Sequence, residues 1–360
     1  MRKSKYLIIN SFYFDFNNDL TDIINVKKLF KNQNILDLER FNDLKIIEER
    51  KFEGHNLNFI YLSINIEAMN KRAFSKNKIQ ILDLSYCTKL KYIDENAFMS
   101  CDIKHLKLPK NIEAIGTESF QNNKIEILDL SNCINLNIIM GWAFESNQIK
   151  QLKLPQNIEI IGDWAFANNK IEILDLSYCI NLKNIERFAF KENQIKQLKL
   201  PQTIENINNF VFENNQIKQL RLTKNIKIID AYAFESNKIK ILDLSNCIKL
   251  KNIREAAFRE NQIKHLKLPK NIEEIEGSTF KYNQIEILDL SNCIKLKHIV
   301  FDAFSSNPLN EIKILDNIEI GYDKKNIDDL WNKFVKYYND NKMKSGDYKY
   351  NNNEWKWYPL

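Results

Sequence analysis

The sequence predicts a repeat solenoid: a parallel β-sheet of about thirteen short strands, irregular or short-helical returning segments, a helical cap before it and a helix-plus-hairpin cap after it. Three observations predict this. A phenylalanine closes each unit (Phe52, Phe74, Phe98, Phe120, Phe144, Phe166, Phe190, Phe212, Phe234, Phe258, Phe280 and Phe304), always 22 or 24 residues after the last. Each unit carries Leu-x-Leu text, as at Leu128 and Leu130, which makes a strand with one buried face. The two unit lengths alternate, each with its own text, and alternation fails only where two short units begin at Leu198 and Leu220.

Residues 1–34 read as the N-terminal cap, with a short helix from Leu20 to Phe30 and Asp19 before it. Residues 35–320 are the solenoid. One turn cannot bury its own apolar side, but stacked turns share a continuous core, and thirteen strands at a spacing of roughly 4.8 Å make a sheet about 58 Å long. Residues 321–360 form the C-terminal cap. Asn326 is read as capping a helix with Asp328 and Asp329 in its first turn, and Ile327, Leu330, Trp331, Phe334, Val335 and Tyr338 on one face. A hairpin then sets Tyr348 and Tyr350 against Trp355 and Trp357 across Asn351–Asn353.

The text at Leu152 to Phe166, Leu-x-Leu-Pro-x-x-Ile-x-x-Ile-Gly-x-x-Ala-Phe, resembles the BspA-like leucine-rich-repeat family. The Asp-Leu-Ser-x-Cys variant of the longer unit and the compositional bias also resemble the leucine-rich-repeat paralogues of amoeba-infecting giant viruses. The resemblance covers about residues 35–320 and implies a leucine-rich-repeat solenoid with a general binding role.

Composition and chemistry exclude more than they assign. Hydrophobic residues at 44% with 28% charged fit a soluble globular chain, and the formal charge of +6 is too small to mark a nucleic-acid binder. The basic start at Met1 is followed by no cleavage site, and the longest uncharged stretch, Ser131 to Phe144, is too short to span a bilayer. The expectation is an intracellular monomer, in the host cytoplasm if viral, with a protein partner, no nucleic acid and no membrane. Cys87, Cys133, Cys179, Cys247 and Cys293 recur 46 or 68 residues apart, hence two or three turns and roughly 10 Å or more, which excludes disulfide and zinc. Cys101 stands where other turns carry Asn (Asn77, Asn123, Asn147 and onward), a row read as a turn device. His55, His105, His265 and His298 are scattered, the Asp-Leu-Ser text recurs too often for a triad, and no phosphate-binding loop is present. No catalytic, cofactor or metal residue is expected, and no enzyme.

Two surface departures remain. The outward strand position alternates in sign (Asp129, Lys153, Asp175, Lys199) until Lys199 meets Arg221, with Lys196, Lys218, Lys240 and Lys264 at the same strand starts. These turns are candidates for an acidic partner or another anion. Two residues before the closing Phe, most turns carry a small or polar residue, whereas five carry Trp142, Trp164, Phe188, Phe210 and Tyr232. Aromatic residues clustered on a surface suit a binding site. The leading reading is a protein-interaction module; a carbohydrate-binding module, with Trp142 and Trp164 stacked on sugars, and a structural or virion component are its rivals.

Overall fold

The computed structural model describes residues 5–9, 12–16, 34–39, 41–322, 326 and 328–359, the first two stretches as backbone only. The chain forms two compact units, Met1–Ile171 and Glu172–Leu360, and each is a parallel β-solenoid of leucine-rich-repeat type.

The first unit begins with an antiparallel hairpin, Lys5–Ile9 on Phe12–Phe16, an element absent from the sequence expectation. The expected helix from Leu20 to Phe30 lies outside the described residues. First strands then recur from Ile35–Asp37 to Gln151–Lys153, with the central residue inward and its neighbours outward. Leu128 is buried while Ile127 and Asp129 are exposed, as the alternation requires. The returning segments differ from expectation. Each holds a second, two-residue strand, and these pair in parallel register from Ile46–Ile47 to Ile160–Ile161. A buried Ile or Met at the second position of every such strand gives the ladder its inner face.

The first-strand sheet also differs from a single continuous ladder. Strands bond in couples, a long unit with the short unit after it: Ile81–Asp83 with His105–Lys107, Ile127–Asp129 with Gln151–Lys153. The long unit's two additional residues fall between its first and second strands, where it closes two successive turns (Cys133 N to Leu130 O, 2.9 Å; Leu136 N to Cys133 O, 3.0 Å) and the short unit closes one (Ile158 N to Pro155 O, 3.3 Å). Stacking does not depend on the interrupted sheet, because two internal files carry it. Phe52, Phe74, Phe98, Phe120, Phe144 and Phe166 are fully buried and stack with centroids 5.2–5.5 Å apart. Beside them runs a file of buried asparagines. Asn147 accepts from Ile125 N at 3.1 Å and donates to the carbonyls of Phe120 (2.9 Å) and Phe144 (3.2 Å). The Asn row is thus more than a turn device: it ties each turn to the one before. Cys101 keeps half of that role, its thiol donating to Phe74 O at 3.0 Å.

The second unit repeats the plan. First strands run from Ile173–Asp175 to Glu311–Ile314, and a six-stranded second ladder runs from Asn206–Ile207 to Glu319–Ile320. Phe190, Phe212, Phe234, Phe258, Phe280 and Phe304 form the aromatic file, with centroids 5.2–5.9 Å apart. Helix α1 (Leu330–Asp340) closes it. Trp331 packs on Phe304 at 4.9 Å, and Trp331, Phe334, Val335 and Tyr338, at helical spacing, are all buried. The cap residue is Asp329 and not Asn326: the Asp329 carboxylate accepts from Trp331 N (3.0 Å) and Asn332 N (3.4 Å), with extended backbone before the first turn. Asn326 sits earlier, its carbonyl accepting from the Asn332 amide, and Ile327 lies outside the described residues. The hairpin forms as expected, Tyr348 opposite Trp357 and Tyr350 opposite Trp355, with Asn352 and Asn353 in left-handed conformation at the turn. It also does something the sequence did not suggest: Gly346–Asn351 pairs antiparallel with Glu311–Ile314 and covers the last first-strand edge.

Candidate partner-binding surface

The position two residues before each closing Phe is a left-handed corner in every described turn, from Arg50 (φ 56°) to Asp302 (φ 57°). That conformation costs a residue with a Cβ roughly 1–2 kcal/mol. Later turns satisfy the corner with short polar side chains. Asp302, for example, accepts from Ser278 N (2.9 Å), Ser278 Oγ (2.7 Å) and Lys281 Nζ (2.9 Å).

In the first unit the aromatic corners are Trp142 (φ 55°) and Trp164 (φ 60°), Trp142 being 36% exposed and Trp164 half-buried. Gly162 permits the close approach of these two turns' backbones: a Cβ there would lie 2.6 Å from Gly141 N and 2.7 Å from Met140 C. In the second unit they are Phe188, Phe210 and Tyr232, all half-buried. Phe188 and Phe210 stack at 4.5 Å with planes 9° apart, Phe210 and Tyr232 at 4.6 Å and 5°, so both faces of Phe210 are covered. The Tyr232 hydroxyl donates to Glu255 at 3.0 Å.

Three residues after the corners Phe188, Phe210, Tyr232 and Ala256 runs a strip of charge that sequence reasoning missed, Lys191, Glu213, Glu235 and Arg259. Lys191 pairs with Glu213 at 2.7 Å and lies 5.6 Å from the Phe188 centroid; Arg259 reaches Glu235 at 3.5 Å and Glu260 at 3.0 Å. Burial pushes the Glu235 carboxyl up to about 7, with Glu213 and Glu260 adding to the rise and Arg259 opposing it. Two adjacent carboxylates in this column, Glu213 and Glu235, were the available signal.

The basic turns divide. Lys199 pairs with Asp175 at 2.8 Å and Lys196 with Glu172 at 2.8 Å, so these two charges are answered within the repeat. Lys218 and Arg221 are exposed, and among the described residues no carboxylate lies within 4.0 Å of either. The strands Gln197–Lys199 and Gln219–Leu220 belong to different hydrogen-bonded groups. Aromatic corners follow the second strand of a turn and these cations flank the first, so the two sets occupy separate stretches of each turn.

The remaining candidates are structural. Asp83 Oδ1 accepts from Ser85 N (3.0 Å) and Ser85 Oγ (2.6 Å), and the same turn recurs at Asp129, Asp175, Asp243 and Asp289. All six cysteines are buried free thiols; burial pushes Cys133 and Cys247 up to about 11, and Cys87, Cys101, Cys179 and Cys293 up to about 12. Among the described residues no His, Cys, Asp and Glu group could hold a metal ion, and no helix is long and apolar enough to cross a membrane.

The sequence matches the family described as BspA type leucine rich repeat region (6 copies), in overlapping stretches covering residues 21–135, 84–185, 127–240 and 205–324. No curated protein matches it significantly. Among solved structures, a leucine-rich repeat protein from Bacteroides ovatus is similar at 17% identity with a TM-score of 0.54, over 78% of this chain and 79% of that one. The pneumococcal vaccine antigen PcpA is similar at 18% identity and TM-score 0.45, over 82% and 75%. YopM from Yersinia enterocolitica is similar at 16% identity and TM-score 0.42, over 80% and 73%.

Proposed function

Because the chain belongs to the BspA-type leucine-rich-repeat family, we propose that it is a non-enzymatic protein-protein interaction module that binds through its aromatic corners, Trp142 and Trp164 in the first unit and Phe188, Phe210 and Tyr232 in the second. The family is generally non-catalytic, and leucine-rich-repeat domains commonly bind proteins. The observation that carries the reading is the run of Trp142, Trp164, Phe188, Phe210 and Tyr232. Large rings stand at corners where the backbone disfavours them and where other turns use Arg, Asn, Glu, Ala, Ser or Asp. Nothing in the fold of a turn demands a ring there, so its use is sought outside the turn. The proposed setting is intracellular, supported by six buried cysteines kept as thiols.

A sugar ligand is less well supported. The carbohydrate reading rests on Trp142 and Trp164; further along the row a sugar finds no free face on Phe210, whose two faces are occupied by rings at 4.5 and 4.6 Å. Affinity purification from the native cell tests the proposal. A protein partner should co-purify with the native chain and be lost with Trp142→Ala/Trp164→Ala or Phe210→Ala. A partner retained by every one of these variants, or recovery of glycan alone, refutes it.

A further inference from the structure

Resting on the reading of the chain as an interaction module, we propose that its second unit binds an acidic peptide segment carrying an aliphatic anchor, at the lysine row Lys218–Lys240–Lys264 and the groove beside it. These three residues sit on consecutive hydrogen-bonded rungs: Lys240 N donates to Lys218 O (3.4 Å) and Lys264 N to Lys240 O (2.9 Å). From Lys104 to Lys196 this column alternates in sign, and two of its opposite-sign neighbours close ion pairs. Lys150 meets Glu126 at 2.9 Å, and Lys196 meets Glu172 at 2.8 Å. Lys218, Lys240 and Lys264 are exposed, and among the described residues none has a carboxylate within 4.0 Å.

The break in unit alternation explains why Lys218 follows Lys196, since two short units stand side by side. It does not explain Lys240. That residue belongs to a long unit, and the other long units place a carboxylate (Glu126, Glu172, Glu286) or a neutral side chain (Asn34, Gln80) there. With Lys240 the column carries four lysines in succession, Lys196 to Lys264; Lys196 is paired with Glu172, and the other three repel one another until an anionic partner arrives.

The row ends at a groove of about 840 Å³ between the strands His265–Lys267 and Ile287–Asp289, which are not hydrogen-bonded to each other. Lys264 lines it together with Ile248, Ile287 and Ile294, which are 53%, 53% and 68% exposed. Exposed isoleucines beside uncompensated lysines favour a peptide that supplies both carboxylates and an aliphatic side chain. RNA, which offers phosphates but no aliphatic side chain, would leave the isoleucines unused.

Fluorescence anisotropy on the full chain tests this with three labelled probes: a peptide of glutamates around one isoleucine, the same peptide with serine at that place, and oligouridine. The isoleucine peptide should bind tightest. Lys218→Glu/Lys240→Glu/Lys264→Glu should weaken it at least about tenfold, while Lys150→Glu leaves it unchanged. Ile294→Asp should reduce it to the level of the serine peptide, and Lys240→Gln, with circular dichroism on every variant, guards against a folding artefact. Unchanged binding by the triple variant, no binding of the isoleucine peptide, or tighter binding of oligouridine overturns the proposal. A native-cell partner that the triple variant still retains would leave the module reading standing while removing this surface from it.

Discussion

Truncating one rung of the asparagine file isolates the interaction that ties turn to turn. Asn215 accepts from Ile195 N at 3.0 Å and donates to Phe190 O at 2.9 Å and Phe212 O at 3.2 Å. With a further donation to Glu213 O at 3.2 Å, a naive count gives four lost bonds. Yet each carbonyl has a second donor: Asn193 also donates to Phe190 O (3.3 Å), Asn237 to Phe212 O (2.9 Å) and Glu192 N to Glu213 O (3.0 Å). Asn215→Ala therefore leaves one buried donor, Ile195 N–H, without its partner, and should cost about 2–3 kcal/mol, not four times that. Asn215→Cys should restore a donor to Phe190 O, as Cys101 does for Phe74 O, but supplies no comparable acceptor, so it recovers only a fraction.

Asn215→Asp is the discriminating variant. It keeps the acceptor for Ile195 N–H but turns a second oxygen towards three carbonyls, so ionisation is disfavoured and the introduced carboxyl's pKa rises on folding. A raised folded pKa means that stability is present at low pH and lost as pH rises. Asn215→Asp should thus be worse than Asn215→Ala at neutral pH, by at least about 1 kcal/mol, and recover on acidification. Urea denaturation followed by circular dichroism at neutral and acid pH measures both. If Asp proves as stable as Asn at neutral pH, the side chain is not donating to those carbonyls and the file is misread.

Glu235 offers a second pH signature. Burial pushes its carboxyl up to about 7 in the fold against an ordinary 4.5, so the unfolded chain loses the proton first and stability falls as pH rises between those values, by up to about 3 kcal/mol; Glu235→Gln should remove that slope in thermal melts across the range and raise stability at neutral pH. Trp331 covers the end of the phenylalanine file, so Trp331→Ala should cost about 3–5 kcal/mol in denaturation and expose Phe304 to solvent, read as increased binding of an apolar dye. Thiol reagents at neutral pH should leave all six cysteines untouched until denaturant is added, because burial holds each thiol at about 11 or above; rapid labelling of the native chain would contradict this.

Much of the fold was legible because the repeat writes the same physical demand many times. Inward Leu128, the closing phenylalanines and the Tyr-Trp hairpin were all readable from periodicity alone. The second ladder was not, since a two-residue strand such as Ile138–Ile139 is too short for alternation to show. The helix cap shifted from Asn326 to Asp329 because both residues cap well and only backbone geometry chooses between them. At the candidate surface, the departures at Trp142 and Lys218 were visible as text. What they face was not. That Lys196 and Lys199 are answered by Glu172 and Asp175 depends on register between turns, and the rise at Glu235 depends on burial that no single residue announces.

Coupled first strands set a rule for how such an array can change length. A long turn and its short successor share their hydrogen bonds and, as at Asp129 with Lys153, cancel their outward charge. Inserting or deleting a whole couple leaves every remaining seam electrically matched. An unmatched single turn, like the one starting at Gln219, brings together cations that the pattern otherwise keeps apart, and so creates a local charge from components that are neutral everywhere else.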